Sequence, residues 1–127
     1  MDVTETRAVP ALGVLDWGIG GMGFLQLLRA ARPEVPVRYW SDAGATPYGQ
    51  LSRRALAARI AHVSARMRAR GVTHLVIACN AASTVAGSSA IEHTTGVIDH
   101  GVRATLATSA RSVGVIGGAR TIRAGHH

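Results

Sequence analysis

At 127 residues the chain suffices for one domain with a single core and little more. A composition of 47% hydrophobic and 17% charged residues excludes disorder, and no apolar run approaches the roughly 18 residues of a membrane span. The net charge of +7 raises a nucleic-acid partner, but all 14 basic residues are Arg, spread from Arg7 to Arg123, and the one cluster, Arg53 to Arg70, contains no aromatic residue for base stacking. That cluster reads as a solvated helix face and argues against nucleic acid.

Met1 to Pro10 carries Asp2 and Glu5 and lacks a basic stretch followed by an apolar one, so it makes a poor signal peptide. It reads as a flexible segment ahead of a domain over 11–127. Ala11 to Leu15 is a first strand, closed by Asp16-Trp17-Gly18-Ile19-Gly20-Gly21. A helix comes next, from about Met22 to Ala31, with Phe24, Leu25, Leu27 and Leu28 apolar and Pro33 beyond it. Val37 to Trp40 is a second strand, and a loop rich in Gly and Pro runs on to Gly49.

The clearest helix carries Leu56, Ile60, Val63 and Met67, spaced 4, 3 and 4 apart, with Ser52 to cap its start and Gly71 its end. His74 to Ala78 is a third strand, of the continuous apolar kind buried on both faces. Cys79-Asn80 ends it, and a small-residue helix is expected from about Ala82 to Ile91. Gly96 to Ile98 and Val113 to Ile116 read as strands four and five, with a helix near Val102 to Ala110 between them and another starting near Ala119.

Strands alternating with helices predict an α/β domain: a three-layer αβα arrangement around a doubly wound, mainly parallel sheet of about five strands. Ligands of such sheets bind outside the carboxyl ends of the strands. The distinctive polar residues fall on that rim: Asp16, Asp42 with Pro47-Tyr48-Gly49, Cys79-Asn80, Asp99-His100, and Gly117 to Thr121. The rim therefore predicts a small-molecule site.

Cys79 stands where a strand hands over to a helix, and the helix dipole and unpaired N–H groups there favour a thiolate, which can act as nucleophile or base. A free cysteine is also a common inert core residue, so position alone leaves both roles open. A single cysteine forms no intramolecular disulfide, and a reducing cytoplasm is the expected compartment. Gly18-x-Gly20-x-x-Gly23 has the spacing of a dinucleotide loop with Asp42 as its acidic partner, a reading that leaves Asp16 unexplained. His62 and His93 read as surface helix residues and His100 as a loop histidine, and no grouping has metal-ligand spacing.

Four segments together resemble the glutamate racemases, within the wider aspartate/glutamate racemase family. Asp16-Trp17-Gly18-Ile19-Gly20-Gly21 matches the family's first turn except at Trp17, where the family has Ser. Pro47-Tyr48-Gly49 after Asp42 matches the second loop, and Ala78-Cys79-Asn80-Ala81-Ala82-Ser83 the third strand end, with Ala81 in place of Thr. Gly114 to Gly117 followed by Thr121-Ile122 matches the last.

The resemblance implies two similar α/β domains facing one another over an amino-acid or dicarboxylate substrate. It implies racemisation without a cofactor or metal, using one cysteine from each domain. By that match Cys79 and Asp16 are catalytic, and Trp17, Pro47, Tyr48, Gly49, Asn80, Ala81 and Thr121 bind substrate. It further implies D-glutamate supply for peptidoglycan, leaves a homodimer open, and makes this chain the amino-terminal half, truncated before its second domain and inactive alone. A non-catalytic or vestigial domain, and a one-cysteine enzyme acting on another dicarboxylate, are the alternatives.

Overall fold

The computed structural model describes residues 10–127, so all but the last residue of the expected flexible segment lies outside the described residues. Four parallel strands, β1 (Ala11–Asp16), β2 (Val37–Ser41), β3 (Val72–Ile77) and β4 (His93–Gly96), form one sheet in the order β2-β1-β3-β4. The helices are α1 (Met22–Ala31), α2 (Arg53–Arg68), α3 (Asn80–Ser83), α4 (Val97–Leu106) and α5 (Ala119–Ala124), with short 3-10 turns at Tyr48–Gln50 and Ala86–Ser88. From β1 the chain moves outward to β2, then returns across the sheet to β3 on the other side. Right-handed crossovers in opposite directions place α1 and α2 on opposite faces, which gives the αβα layering. The reversal falls between β1 and β3, and there the crevice of a doubly wound sheet opens.

β1 is central, and Val14 and Leu15 are fully buried. The apolar stripe of α2 covers one face: Leu56, Ile60 and Val63 are inaccessible and Met67 nearly so, all in one cluster with Leu15, Leu75 and Ile77. Both ends of α2 form as expected. Ser52 Oγ accepts a 3.1 Å bond from the Ala55 N–H, and Gly71 takes up the left-handed backbone beyond the last turn with φ of 87°. α1 leaves Leu27 and Met22 exposed and buries no residue fully.

Several expectations are corrected. The helix expected over 82–91 is only α3 and the 3-10 turn, because Ser83 Oγ bonds the Cys79 carbonyl at 2.8 Å and Thr84 Oγ1 that of Ala81 at 2.7 Å, and Gly87 disfavours a further helical turn. The fourth strand lies earlier, at His93–Gly96, paired with His74–Ile77, so Ile98 is the buried residue of α4 and that helix begins at Val97, well before Val102. His93 is accordingly a strand residue, its ring stacked on that of His74 at 4.6 Å.

The fifth strand does not form. Val113, Val115 and Ile116 are exposed and unpaired in an irregular stretch after α4, so the sheet has four strands. The β-branched residues of this run have strand preference, but the run is short, interrupted by Gly114 and followed by Gly117 and Gly118, and it pairs with no strand of the sheet. Among the described residues no helix is long and apolar enough to cross a membrane.

Gly96 joins β4 to the core by close approach: a Cβ there would lie 2.7 Å from both Cβ and Oγ of Ser83. The same Ser83 Oγ accepts the Val97 N–H at 3.0 Å, tying the start of α4 to α3. Gly96→Ala should therefore destabilise the domain by about 1–3 kcal/mol, read as a lower midpoint in thermal or denaturant unfolding. An unchanged midpoint would show that α3 can move away from β4 freely.

Candidate active site

Pairing between β1 and β3 continues one residue past the strands, where the Ala78 N–H donates to the Leu15 carbonyl at 2.8 Å. Asp16, the last residue of β1, and Cys79, two residues past the end of β3, both reach the pocket at the switch point. Together with Trp17, Pro47, Tyr48 and Ala81 they line an open depression of about 490 Å³. Its floor is the first turn, Gly18 to Gly20, and Gly49 completes one edge.

Each wall is fixed by a bond into the protein. Asp16, only 7% exposed, accepts the Gly21 N–H on Oδ2 at 3.1 Å and so shapes the turn before α1. Trp17 donates its indole Nε1–H to the Ala45 carbonyl at 3.0 Å. Tyr48 is buried and donates its hydroxyl to Asp42 Oδ2 at 2.8 Å. Asp42 also receives Nε of Arg59 at 2.8 Å and Nη2 at 2.5 Å, a two-pronged ion pair.

Burial alone would raise the Asp42 carboxyl, but the bonds from Arg59 and Tyr48 outweigh it and hold it below the ordinary carboxylate value. Burial and the Asp42 carboxylate push the Tyr48 phenol far above its ordinary range, so this hydroxyl stays protonated. Asp42 is thereby spent on Arg59 and Tyr48, which removes the acidic partner that the dinucleotide reading needs.

Cys79 caps α3 in an extended conformation and is a half-buried free thiol. Burial pushes its thiol above the ordinary value; the N–H groups of Ala82, Trp17 and Ala81 pull it down, and Asp16 adds to the rise. The dipole that the sequence suggests is short, since α3 has four residues, and desolvation prevails.

Of the residues singled out from the sequence, Asp16, Trp17, Pro47, Tyr48, Gly49, Cys79 and Ala81 come together in this pocket. Asn80 is exposed and outside its lining, and Thr121 is buried in α5, which packs on the Tyr48 turn and α3. Asp99 and His100 lie in the first turns of α4 rather than at a strand end. Sequence patterns do not single out Arg59, hidden in the arginine-rich face of α2; its position one turn from Leu56 and Val63, beside the apolar stripe, is the available signal. Among the described residues no cluster of three or more His, Cys, Asp or Glu could hold a metal ion.

No protein-family model matches the chain. Among curated proteins it is 35% identical over 119 residues to the glutamate racemase of Aquifex aeolicus, covering 90% of this chain and 47% of that protein. It is 36% identical over 130 residues to that of Koribacter versatilis, covering 96% and 44%. Among solved structures, glutamate racemase from Aquifex pyrophilus superposes with a TM-score of 0.83 at 29% identity, covering 91% of this chain and 48% of that one. The Francisella tularensis enzyme, solved with D-glutamate, gives 0.78 at 28% identity, covering 92% and 46%.

A doubly wound domain with a thiol and a carboxylate at its switch point, matched at this level, is of the aspartate/glutamate racemase type. More narrowly, the chain belongs to the glutamate racemase family and corresponds to its amino-terminal half. It spans about half the length of the curated relatives it matches.

The electrostatics of the site predict the behaviour of two variants. Arg59→Met leaves Asp42 buried without its cation and should cost about 3 kcal/mol at neutral pH in denaturant unfolding. Asp42 is held low in the folded state, so the pair's contribution is complete above the ordinary carboxylate pKa of about 4 and is lost as pH falls through the folded value. The two proteins should therefore converge in stability as the solution is acidified, and a gap that persists in acid would show that Arg59 acts by packing alone. Asp16→Asn keeps an acceptor for Gly21 but removes the charge that raises Cys79. Its alkylation by iodoacetamide at neutral pH should quicken by roughly threefold to tenfold, whereas an unchanged rate would place Asp16 outside electrostatic reach of the sulfur.

Proposed function

We propose that this chain is the amino-terminal half of a cofactor-independent amino-acid racemase of the glutamate racemase type, with Cys79 serving one face of the substrate. The observation that carries this reading is the pairing of a thiol and a carboxylate, Cys79 and Asp16, in one open pocket at the sheet's switch point. Inversion at Cα needs a proton removed from one face and returned to the other. The thiolate of one cysteine takes the α-proton and becomes a thiol. A thiol on the opposite face then protonates the carbanion and is left as thiolate. Cys79 can supply only one of the two, and a second, similar domain carrying the other would close the open side of the pocket.

Asp16 suits the substrate ammonium. That cation, placed between Asp16 and Cys79, would offset the carboxylate charge that opposes ionisation of the thiol. The N–H groups of Trp17, Ala81 and Ala82 are already turned toward the sulfur and favour its thiolate. The product role would be D-amino-acid supply for peptidoglycan, as the resemblance of the four sequence segments implies.

The pure 127-residue chain should leave the optical activity of L- and D-glutamate unchanged, because one thiol serves one face; sustained racemisation by it would overturn the two-thiol reading. Joined to the carboxyl-terminal half of the Aquifex aeolicus relative, it should gain racemisation that Cys79→Ser lowers by about 100-fold or more. Activity indifferent to that substitution would remove Cys79 from the chemistry.

A further inference from the structure

We infer that Tyr39 is a positioning residue of the Cys79 pocket, its hydroxyl anchoring the first turn so that the Trp17 N–H stays aimed at the sulfur. This rests on the reading of Cys79 as the thiol that works on the substrate. Tyr39 stands on β2, paired in register with Val14, and so shares a sheet face with Asp16, two residues further along β1. Its hydroxyl donates to the Gly18 carbonyl at 3.1 Å. Burial and the Asp16 charge push the phenol above its ordinary value, so it stays a donor.

The turn has little packing to hold it on its outer side. Ile19 and Gly20 are exposed, and a Cβ added to Gly18 would meet no atom within 4 Å. Two side-chain bonds reach it, from Tyr39 at its start and from Asp16, which accepts the Gly21 N–H at 3.1 Å, at its end. The fit at Gly21 is close: a Cβ there would lie 3.1 Å from the Tyr39 oxygen and 2.9 Å from Cβ of Ala78, so the phenol sits where the turn meets the end of β3. Trp17 comes just before the anchored residue, and its N–H is one of the three that favour the Cys79 thiolate. Its indole is tied to Ala45 and the following carbonyl to Tyr39, which fixes the backbone on both flanks. Without the second tie, the glycine at 18 leaves the peptide free to swing, and the N–H spends less time on the sulfur.

The test is the pH profile of Cys79 alkylation by iodoacetamide in the 127-residue chain, parent against Tyr39→Phe, read by mass spectrometry. Phenylalanine keeps the ring and removes only the hydroxyl. The other titratable groups facing the sulfur are Asp16 and the Tyr39 and Tyr48 phenols, and both phenols are held protonated. Alkylation at neutral pH should slow by roughly threefold to tenfold in the variant, and the gap should close in alkali, where the thiol of both proteins is ionised. Amide exchange at Gly21 and Met22, whose N–H groups are bonded at the turn, should quicken as well. Equal rates at every pH overturn the inference. So does a slowing that persists undiminished in alkali, or a rate raised throughout, since either would report access to the sulfur rather than its charge. These outcomes leave the proposed function standing, whereas a thiol inert in both proteins across the whole profile overturns both.

Discussion

Ala78 donates its backbone N–H to Leu15, and the pocket depends on the parallel pairing of β1 and β3 that this bond extends. These strands flank the reversal of winding, so no crossover helix lies over the gap between their carboxyl ends. Asp16 ends one strand and Cys79 follows the other as the residue just before α3, so the paired strands deliver both to the same rim. A slip of one residue would turn Cys79 to the other face of the sheet.

The second support lies outside the pocket. Asp42 stands just beyond β2 and joins Arg59 of α2 to Tyr48 of the intervening loop, while its own N–H returns to the Asp16 carbonyl at 3.0 Å. One buried carboxylate thus connects β1, the Tyr48 turn and the core helix. A long connection such as 42–52 is usually the adaptable part of an α/β fold. Here its aromatic wall is held by a charged network whose members have few other options. The geometry of the apolar wall is consequently coupled to the ion pair, and loosening Arg59 would be felt at Tyr48.

Much of this is legible in the sequence because it depends on local patterns. The stripe Leu56-Ile60-Val63-Met67 with Ser52 and Gly71 defines α2, and the rule that sites gather at strand ends brings Asp16, Tyr48 and Cys79 together from the sequence alone. The expectations that fail depend on partners distant in sequence. Val113 to Ile116 has the composition of a strand, but a strand needs a neighbour and a cover, and neither is present among the described residues. The helix over 82–91 fails for the opposite reason, a local one: the Ser83 and Thr84 hydroxyls share the Cys79 and Ala81 carbonyls with the backbone N–H groups, which weakens the turn, and Gly87 follows. Arg59 cannot be told from its neighbours on α2, because its role exists only once Asp42 is brought up against it across 17 residues.

The thiol illustrates how the same burial acts in two directions. Enclosure by Trp17, Tyr48 and Ala81 raises the cost of charging Cys79, so in this half of the structure the sulfur is held as a thiol more firmly than a free cysteine would be. Further enclosure over the open side would strengthen that penalty, yet it would also strengthen the pull of the three backbone N–H groups and of any bound ammonium, since both act through the same low dielectric. Fixed donors gain from drying in a way that the desolvated thiolate alone does not. On the proposed function, the balance at Cys79 is set by whether a cation enters the pocket. On that reading the charge of Asp16, which attracts a cation and opposes the thiolate, is the quantity on which ionisation of the sulfur turns.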